Sequence, residues 1–527
     1  MSLEPVLLAG GWRQAREPVG TLRATNPATA AVFGATYPIS NFADLHDALQ
    51  AAHAAAAQLN SISVDTIVRF LDIYARNLEA LEADLVQMAH LETALAKEPR
   101  LRSVELPRTT DQLRQAAAAV LDRSWCMPTL DIKNNIRSCY APLAGPVIIF
   151  GPNNFPMAFN AISGGDFAAA IAAGNPVIAK AHPGHPGTTK LLAEAAFDAV
   201  LESGLPRSTV QLFYHARSAD GLRLVGDSRV GAVAFTGSRK AGLALKGAAD
   251  RAGVPVYLEM SSINPVFVLP AAIAEQGEEI AAELVASCTV GAGQFCTNPG
   301  LIVLLKGEMS ERFLDLVRER LQLATTGTLL TEQGSGQLAE AVSTWQAHGA
   351  LLVAGGHPMQ DSSFRFANTL LRVSGDDFLK NADALQTEAF GSASLVVFAR
   401  DTAQLLQIAG HLEGNLTGSI YSDTGGRDDE QYDLLEPVLR KKVGRLLNDK
   451  MPTGVAVSSA MVHGGPFPAT GHPGFTAVGI PASMRRFAAL HCYDNVRQKR
   501  LPAILQNKNP ASATWRFIDG GWTKADV

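Results

Sequence analysis

Cys296 lies in the stretch Gly293-Gln294-Phe295-Cys296-Thr297-Asn298, approached by Gly291-Ala292-Gly293 and followed by Pro299-Gly300. Glycine lets backbone and ligand come close, and Pro-Gly marks a turn. The thiol is therefore expected on a tight loop, a place that suits reactive groups. A thiolate is a strong nucleophile, but a free thiol is mostly protonated at neutral pH. It needs an oxyanion donor, a base and an acceptor for what it releases. On the loop alone a second reading stands beside this one: the cysteine as a small buried apolar side chain.

Helpers must be delivered by the surrounding elements. Pro146–Phe150 is a short apolar run bounded by turns, which reads as a buried strand. Pro176–Lys180, Val210–Tyr214, Gly231–Phe235 and Val254–Glu259 repeat the pattern. Between them, helices are expected from the Asn154 turn to about Gly174, over 188–203, and after Ser238. Strands alternating with helices imply βαβ units and a parallel sheet covered on both faces. Ligands of such sheets bind beyond the carboxyl ends of the strands, and Asn154, Lys180, Ser238 and Glu259 all fall at or just after those ends.

Alternation resumes from about Ser261 to Thr453, with a helix before Cys296, strands at Leu301–Leu305, Leu395–Phe398 and Ser419–Tyr421, and a helix at Ser310–Leu323. This implies a second α/β domain that carries the cysteine. Upstream, Asp44–Asn60 and Leu101–Arg123 read as helices. Asp65–Ala94 reads as one amphipathic helix, with Ile67, Leu71, Tyr74, Leu78 and Leu81 three or four apart. None of these carries nucleophile or metal-ligand spacing, and no metal is expected. The tail after Met451 is rich in Gly and Pro around His463-Gly-Gly-Pro-Phe-Pro468.

Composition excludes several classes. The sequence has 527 residues, 47% of them hydrophobic, and a net charge of -5 from 45 basic and 50 acidic residues. Without a long basic run, nucleic acid is not an expected partner. The uncharged run from Cys139 to Gly165 is broken by Pro142, Pro146, Pro152 and Pro156, so no membrane span is expected. The first residues lack a basic segment followed by an apolar core. Five cysteines without close pairing form no disulfide framework, so a reducing, cytoplasmic setting is expected.

The usual Gly-x-Gly-x-x-Gly dinucleotide fingerprint is missing. Phe235-Thr236-Gly237-Ser238 offers a looser strand-to-helix turn whose free N–H groups could hold a phosphate. Taken in order, the motifs resemble those of the aldehyde dehydrogenase superfamily over most of the chain. Pro152-Asn153-Asn154-Phe155-Pro156 is similar to its Pro-Trp-Asn-Phe-Pro loop, with Asn153 in place of Trp. Phe235-Thr236-Gly237-Ser238 is similar to its cofactor turn. Leu258-Glu259-Met260-Ser261-Ser262 is similar to Leu-Glu-Leu-Gly-Gly, with the glycines replaced. Gly293-Gln294-Phe295-Cys296 is similar to Gly-Gln-x-Cys, and Glu388-Ala389-Phe390-Gly391-Ser392 to Glu-x-Phe-Gly-Pro, with Ser392 in place of Pro. Glu259 and Cys296 are 37 positions apart, close to the family's spacing. The Ala181–Gly187 and His463–Thr470 runs resemble the branch holding α-ketoglutaric semialdehyde and NADP-linked fatty-aldehyde dehydrogenases.

The resemblance implies a nucleophilic Cys296 that forms a thiohemiacetal, then, after hydride loss to nicotinamide, a thioester. It implies an oxyanion held by the Asn154 amide and the Cys296 N–H, and Glu259 as the base that activates water. Lys180, His182, Gly237, Ser238, Glu388 and Phe390 would bind the cofactor. Residues 1–130 and 142–259, with part of 457–486, would form the cofactor domain and 260–456 the catalytic domain. Residues 131–141 and 487–527 would form an oligomerisation arm and tail, giving a homodimer or homotetramer. NAD users in this family commonly carry Glu three positions after the lysine, and Pro183 stands there. NADP is therefore expected, with NAD tolerated and Lys180 joined by His182 or Arg239 at the 2′-phosphate. The expected substrate is α-ketoglutaric semialdehyde, with a long aliphatic aldehyde as the alternative; Phe155, Phe159, Phe295 and Phe467 could wall either pocket. A cysteine acyltransferase or hydrolase is the reading from another class. It requires a His base, and no motif nominates one; His463 is read as structural.

Overall fold

The computed structural model describes residues 3–360, 363–510 and 513–527. Its first sheet is built on five parallel strands: Val147–Phe150, Val177–Lys180, Val210–Phe213, Ala232–Thr236 and Val256–Glu259. Val6–Leu8 and Gly11–Arg13 extend it antiparallel at one edge. Val147, Ile148 and Ile149 are at most 1% exposed, as expected for β-branched residues sandwiched between helical layers. Truncating either isoleucine to Ala would cost about 2–5 kcal/mol.

The first three of these strands step to one side and the next two to the other, so the strand order reverses between Val147–Phe150 and Ala232–Thr236. A crevice forms at such a switch point, at the carboxyl ends of the strands. The register aligns Phe150 with Lys180 and Phe235, and Thr236 with Glu259, so the predicted residues share one edge of the sheet.

A second sheet has the order Leu351–Ala354, Thr369–Ser374, Ala393–Ala399, Leu301–Leu305, Val266–Val268, Asn415–Tyr421, Val443–Asn448. All of its pairs are parallel except the first. A separate five-stranded sheet pairs Ile136–Pro142 with Ala488–Asp494, and Thr129–Asp131 with both Ile136–Pro142 and Arg516–Ile518, which in turn pairs with Gly521–Thr523.

Three local expectations fail. The amphipathic run 65–94 is two helices, Val64–Ala80 and Glu82–Thr93, broken at Leu81. The apolar period continues across the joint because both helices pack on the same core, so periodicity alone does not reveal the bend. The Leu101–Arg123 run divides into a π-helical Lys97–Glu105 and a regular Leu106–Asp122. The Asn154 loop does not run straight into a helix, which begins only at Gly165. The intervening loop folds tightly on itself: a Cβ on Gly164 would lie 2.6 Å from the Phe159 Cα, and one on Gly151 would lie 2.6 Å from the Phe159 carbonyl oxygen.

Candidate active site

The helix Pro270–Thr289 ends in a short left-handed run, with Gly291, Ala292 and Gly293 at φ 58°, 55° and 70°. Ala292 is strained there, as residues at functional sites often are. A Cβ on Gly293 would lie 2.3 Å from the Gly391 carbonyl carbon, so this glycine lets the cysteine loop sit directly on the Glu388-to-Gly391 segment. Gln294 is buried and its side-chain oxygen accepts from the Leu330 N–H at 2.9 Å. From below, the Asn264 amide donates to the Cys296 and Asn298 carbonyls, both at 2.9 Å. Asn264 carries no family motif; only the Asn264-Pro265 turn signal marked it in the sequence.

These supports hold Cys296 partly open, facing Glu259 and His463. The imidazole Nε2 lies 3.3 Å from the Cys296 Sγ and 2.7 Å from the Glu259 Oε1. Donor atoms of the three residues lie within 4.8 Å of one another. Burial raises the thiol's pKa; His463 pulls it down and Glu259 pushes it up, and the net direction is upward. Burial alone would lower the imidazolium's pKa, but Glu259 and Cys296 outweigh it and raise His463 to about 10. A protonated His463 thus shares one N–H between the Glu259 carboxylate and the Cys296 sulfur, and it offsets part of the thiol's upward shift. The other Glu259 oxygen, Oε2, is buried with no hydrogen-bond partner among the described residues. An unpaired buried carboxylate oxygen is costly unless a water or substrate group completes it.

Sequence reasoning reads His463 as structural; the structure places it between the candidate nucleophile and the candidate base. It lies in the Gly-rich tail, 204 positions from Glu259. The tail folds back over the strand that ends at Glu259: the Met260 N–H donates to the Ala469 carbonyl at 2.7 Å, and the His463 N–H donates to the Thr476 Oγ1 at 2.8 Å. Its signal was the glycine pair. A Cβ on Gly464 would come 2.6 Å from the Phe475 carbonyl oxygen, and one on Gly465 would come 2.2 Å from that of Asn415. A loop this tightly packed holds its histidine in a fixed place.

Asn154 is buried, and its amide donates to the Gln294 carbonyl at 2.9 Å, across the cysteine loop. That bond leaves one amide hydrogen for an oxyanion. The Asn154 carbonyl accepts from Arg100 at 2.9 Å, and Arg100 pairs with the buried Glu105. Glu105 accepts from the Met157 and Ala158 N–H groups at 2.8 and 3.1 Å, which ties the loop to the helical layer. Phe155 packs edge-on against Phe159 and Phe295, with centroids 5.0 and 5.3 Å away, but Phe467 is 61% exposed and walls nothing.

The residues expected to bind cofactor cluster at the switch point. Ser238 caps the helix Arg239–Asp250, accepting from the Ala241 N–H at 3.4 Å, and the Gly237 N–H donates to the Glu259 carbonyl at 3.1 Å. A Cβ on Gly237 would strike the Phe235 ring at 2.9 Å, so the turn needs glycine. Lys180 faces no carboxylate within ion-pair distance among the described residues, and burial alone lowers its pKa to about 8. His182 stacks on His185 with centroids 5.5 Å apart. Burial and the neighbouring His185 and Lys180 charges push the His182 pKa well down; burial takes His185 and His215 to about 4. Arg239 is not available for a phosphate, because it forks onto Glu413 at 3.3 and 2.6 Å. Glu388 and Phe390 line a cleft with Phe295 and Trp345. Burial raises the Glu388 carboxyl to about 7, against the Ser262 N–H that donates to it at 3.3 Å. A glycine turn, a helix N-terminus and a lysine unpaired among the described residues at one sheet edge, with the buried Glu388 carboxyl beside Ser262, suit a pyrophosphate and ribose hydroxyls.

A dinucleotide-type crevice beside a cysteine and a buried carboxylate suits a nucleotide-dependent dehydrogenase. The aldehyde dehydrogenase family profile matches residues 12–432, and the chain belongs to this family. It is an NAD(P)-dependent aldehyde dehydrogenase. Among curated relatives, α-ketoglutaric semialdehyde dehydrogenase 2 of Azospirillum brasilense is 38% identical, covering 95% of this chain and 96% of the relative. The α-ketoglutaric semialdehyde dehydrogenase of Acinetobacter baylyi is 35% identical, covering 91% and 92%. Among solved structures, lactaldehyde dehydrogenase from Escherichia coli superposes with a TM-score of 0.79 at 20% identity, covering 93% of this chain and 98% of that one. PnpE in complex with nicotinamide adenine dinucleotide superposes at 0.79 with 19% identity, covering 94% and 99%. No helix among the described residues is long and apolar enough to cross a membrane.

Proposed function

We propose that this chain oxidises α-ketoglutaric semialdehyde to 2-oxoglutarate, with NADP preferred over NAD. The convergence of Cys296, His463 and Glu259 on one imidazole nitrogen carries the chemical part of this reading. His463 favours ionisation of the Cys296 thiol, and the thiolate attacks the aldehyde carbon. The Cys296 N–H, which has no protein acceptor among the described residues, joins the Asn154 amide to hold the oxyanion. Each such donor is worth about 3 kcal/mol. The bound nicotinamide supplies the hydride acceptor that makes this step an oxidation. The free Oε2 of Glu259 then takes a proton from the water that cleaves the thioester.

A cysteine hydrolase would use His463 differently. In a triad the carboxylate orients one ring nitrogen while the other faces the nucleophile. Here thiol and carboxylate meet the same Nε2, which favours a shared charge over a proton relay. NADP is supported by Lys180 beside His182, His185 and His215, with no carboxylate opposing it among the described residues. The substrate reading rests on the full-length similarity to the two semialdehyde dehydrogenases.

Residues 1–130 and 142–259, with part of 457–486, would form the cofactor domain and 260–456 the catalytic domain. The sheet of Ile136–Pro142 with Ala488–Asp494 would be the arm of a homodimer or homotetramer, its outer strand exposing Leu490 at 65%. The test of the chemistry is a pair of variants. Cys296→Ala should lose oxidation and keep cofactor binding. Glu259→Gln should release one equivalent of reduced cofactor and stall as the thioester; steady turnover in either variant would refute these roles.

A further inference from the structure

We propose that Arg108 is the group that anchors the distal carboxylate of the substrate, and so sets selectivity for a short oxo-acid aldehyde. This rests on the semialdehyde reading above. Arg108 lies in the first turns of the helix Leu106–Asp122, which the sequence pattern assigns only to packing. Its guanidinium lies over the Phe159 ring, 5.2 Å from the centroid, and that ring lies 6.1 Å from the His463 ring beside Cys296. One nitrogen donates to the Val455 carbonyl. The other two, Nε and Nη2, are buried with no hydrogen-bond partner among the described residues. No carboxylate lies within ion-pair distance of Arg108 among the described residues. Glu105, one turn earlier, is already engaged by Arg100 and two backbone N–H groups.

A buried guanidinium with an unfilled edge is a costly arrangement that an incoming carboxylate would complete with two parallel hydrogen bonds. Burial pushes the Arg108 pKa down, and the Cys296 charge pulls it up, which places the cation within the field of the reacting sulfur. Arg445 also feels that charge, but it donates to the Gly454 and Pro452 carbonyls at 3.0 and 2.6 Å and leaves only Nε free. A single nitrogen cannot make the two-pronged contact. The aromatic walls at Phe155, Phe159 and Phe295 suit the short methylene chain between aldehyde and acid.

The experiment compares wild type, Arg108→Gln and Arg108→Lys on α-ketoglutaric semialdehyde and on pentanal, which has the same chain length and no carboxylate. Arg108→Gln should lose roughly a hundredfold or more in kcat/KM on the semialdehyde, mostly through KM, and stay within about twofold on pentanal. Arg108→Lys keeps the charge without the fork and should lose roughly tenfold. It also decides the matter if the Gln variant does not fold. Glutarate should protect Cys296 from iodoacetamide in the wild type and not in Arg108→Gln. Equal losses on both aldehydes, or an undiminished preference for the semialdehyde in the variants, would overturn the assignment. A wild type indifferent to the carboxylate would instead refute the semialdehyde reading, before any variant is made.

Discussion

Replacing His463 with Gln should raise the pKa of the Cys296 thiol and move the enzyme's working range to higher pH. In the structure three influences act on that thiol: burial and Glu259 raise its pKa, and His463 alone lowers it. The imidazole Nε2 at 3.3 Å from the sulfur makes a charge-assisted contact, worth about 1.5–3 kcal/mol. At about 1.36 kcal/mol per pKa unit, its loss should move the thiol up by about one to two units. The thiolate share at neutral pH then falls roughly tenfold to a hundredfold. The assay is the rate of Cys296 alkylation by iodoacetamide as a function of pH, in a Cys492→Ser background, because Cys492 is exposed while Cys126, Cys139 and Cys288 are buried. The alkylation midpoint should shift upward, and kcat/KM should fall in parallel near neutrality and recover at high pH. An unchanged or lowered midpoint would refute the view that His463 holds the thiolate.

Three further outcomes follow from the same geometry. Lys180→Ala should weaken NADP binding roughly tenfold or more and NAD binding by less than about threefold, as read by cofactor titration; equal losses would remove the 2′-phosphate assignment. Gly293→Ala would press a Cβ to 2.3 Å from the Gly391 backbone, so both activity and thermal midpoint should drop, and a fully active, equally stable variant would show that the loop gives way easily. Glu92 is buried, accepts from the Gly187 and Thr188 N–H groups at 2.7 and 2.8 Å, and has its pKa raised by burial from 4.5 to about 7. A carboxyl raised on folding contributes stability that is present below its unfolded pKa and lost as pH rises through about 7. The Tm of the wild type relative to Glu92→Gln should therefore fall across that window, and a constant difference would count against it.

Much of the fold was legible because local pattern and tertiary environment agree. The buried parallel strands are continuous apolar runs ended by turn residues, so Val147–Phe150, Val177–Lys180 and Val256–Glu259 could be read within a residue or two of their ends. Strand ends in turn placed Asn154, Lys180, Ser238 and Glu259 at one edge, because a parallel sheet puts all its carboxyl ends on the same side. The break at Leu81 stayed hidden because both helices keep their apolar period across it.

Contacts between distant segments were not encoded in any local pattern. Neither spacing nor composition joins His463 to Glu259, or Arg239 to Glu413. The first pair depends on how the tail folds back over the sheet, the second on where the two lobes meet. Arg108 read as one charge on a packing helix, and only burial shows that two of its donors lack partners among the described residues. The sequence alone brought out Cys296, Glu259 and the cofactor edge as candidates, because turn residues and strand ends leave local patterns that resemble the family's motifs. The tertiary structure decided which charges stand beside the thiol and which are already paired, because electrostatic strength depends on distance and burial, and both are set by packing.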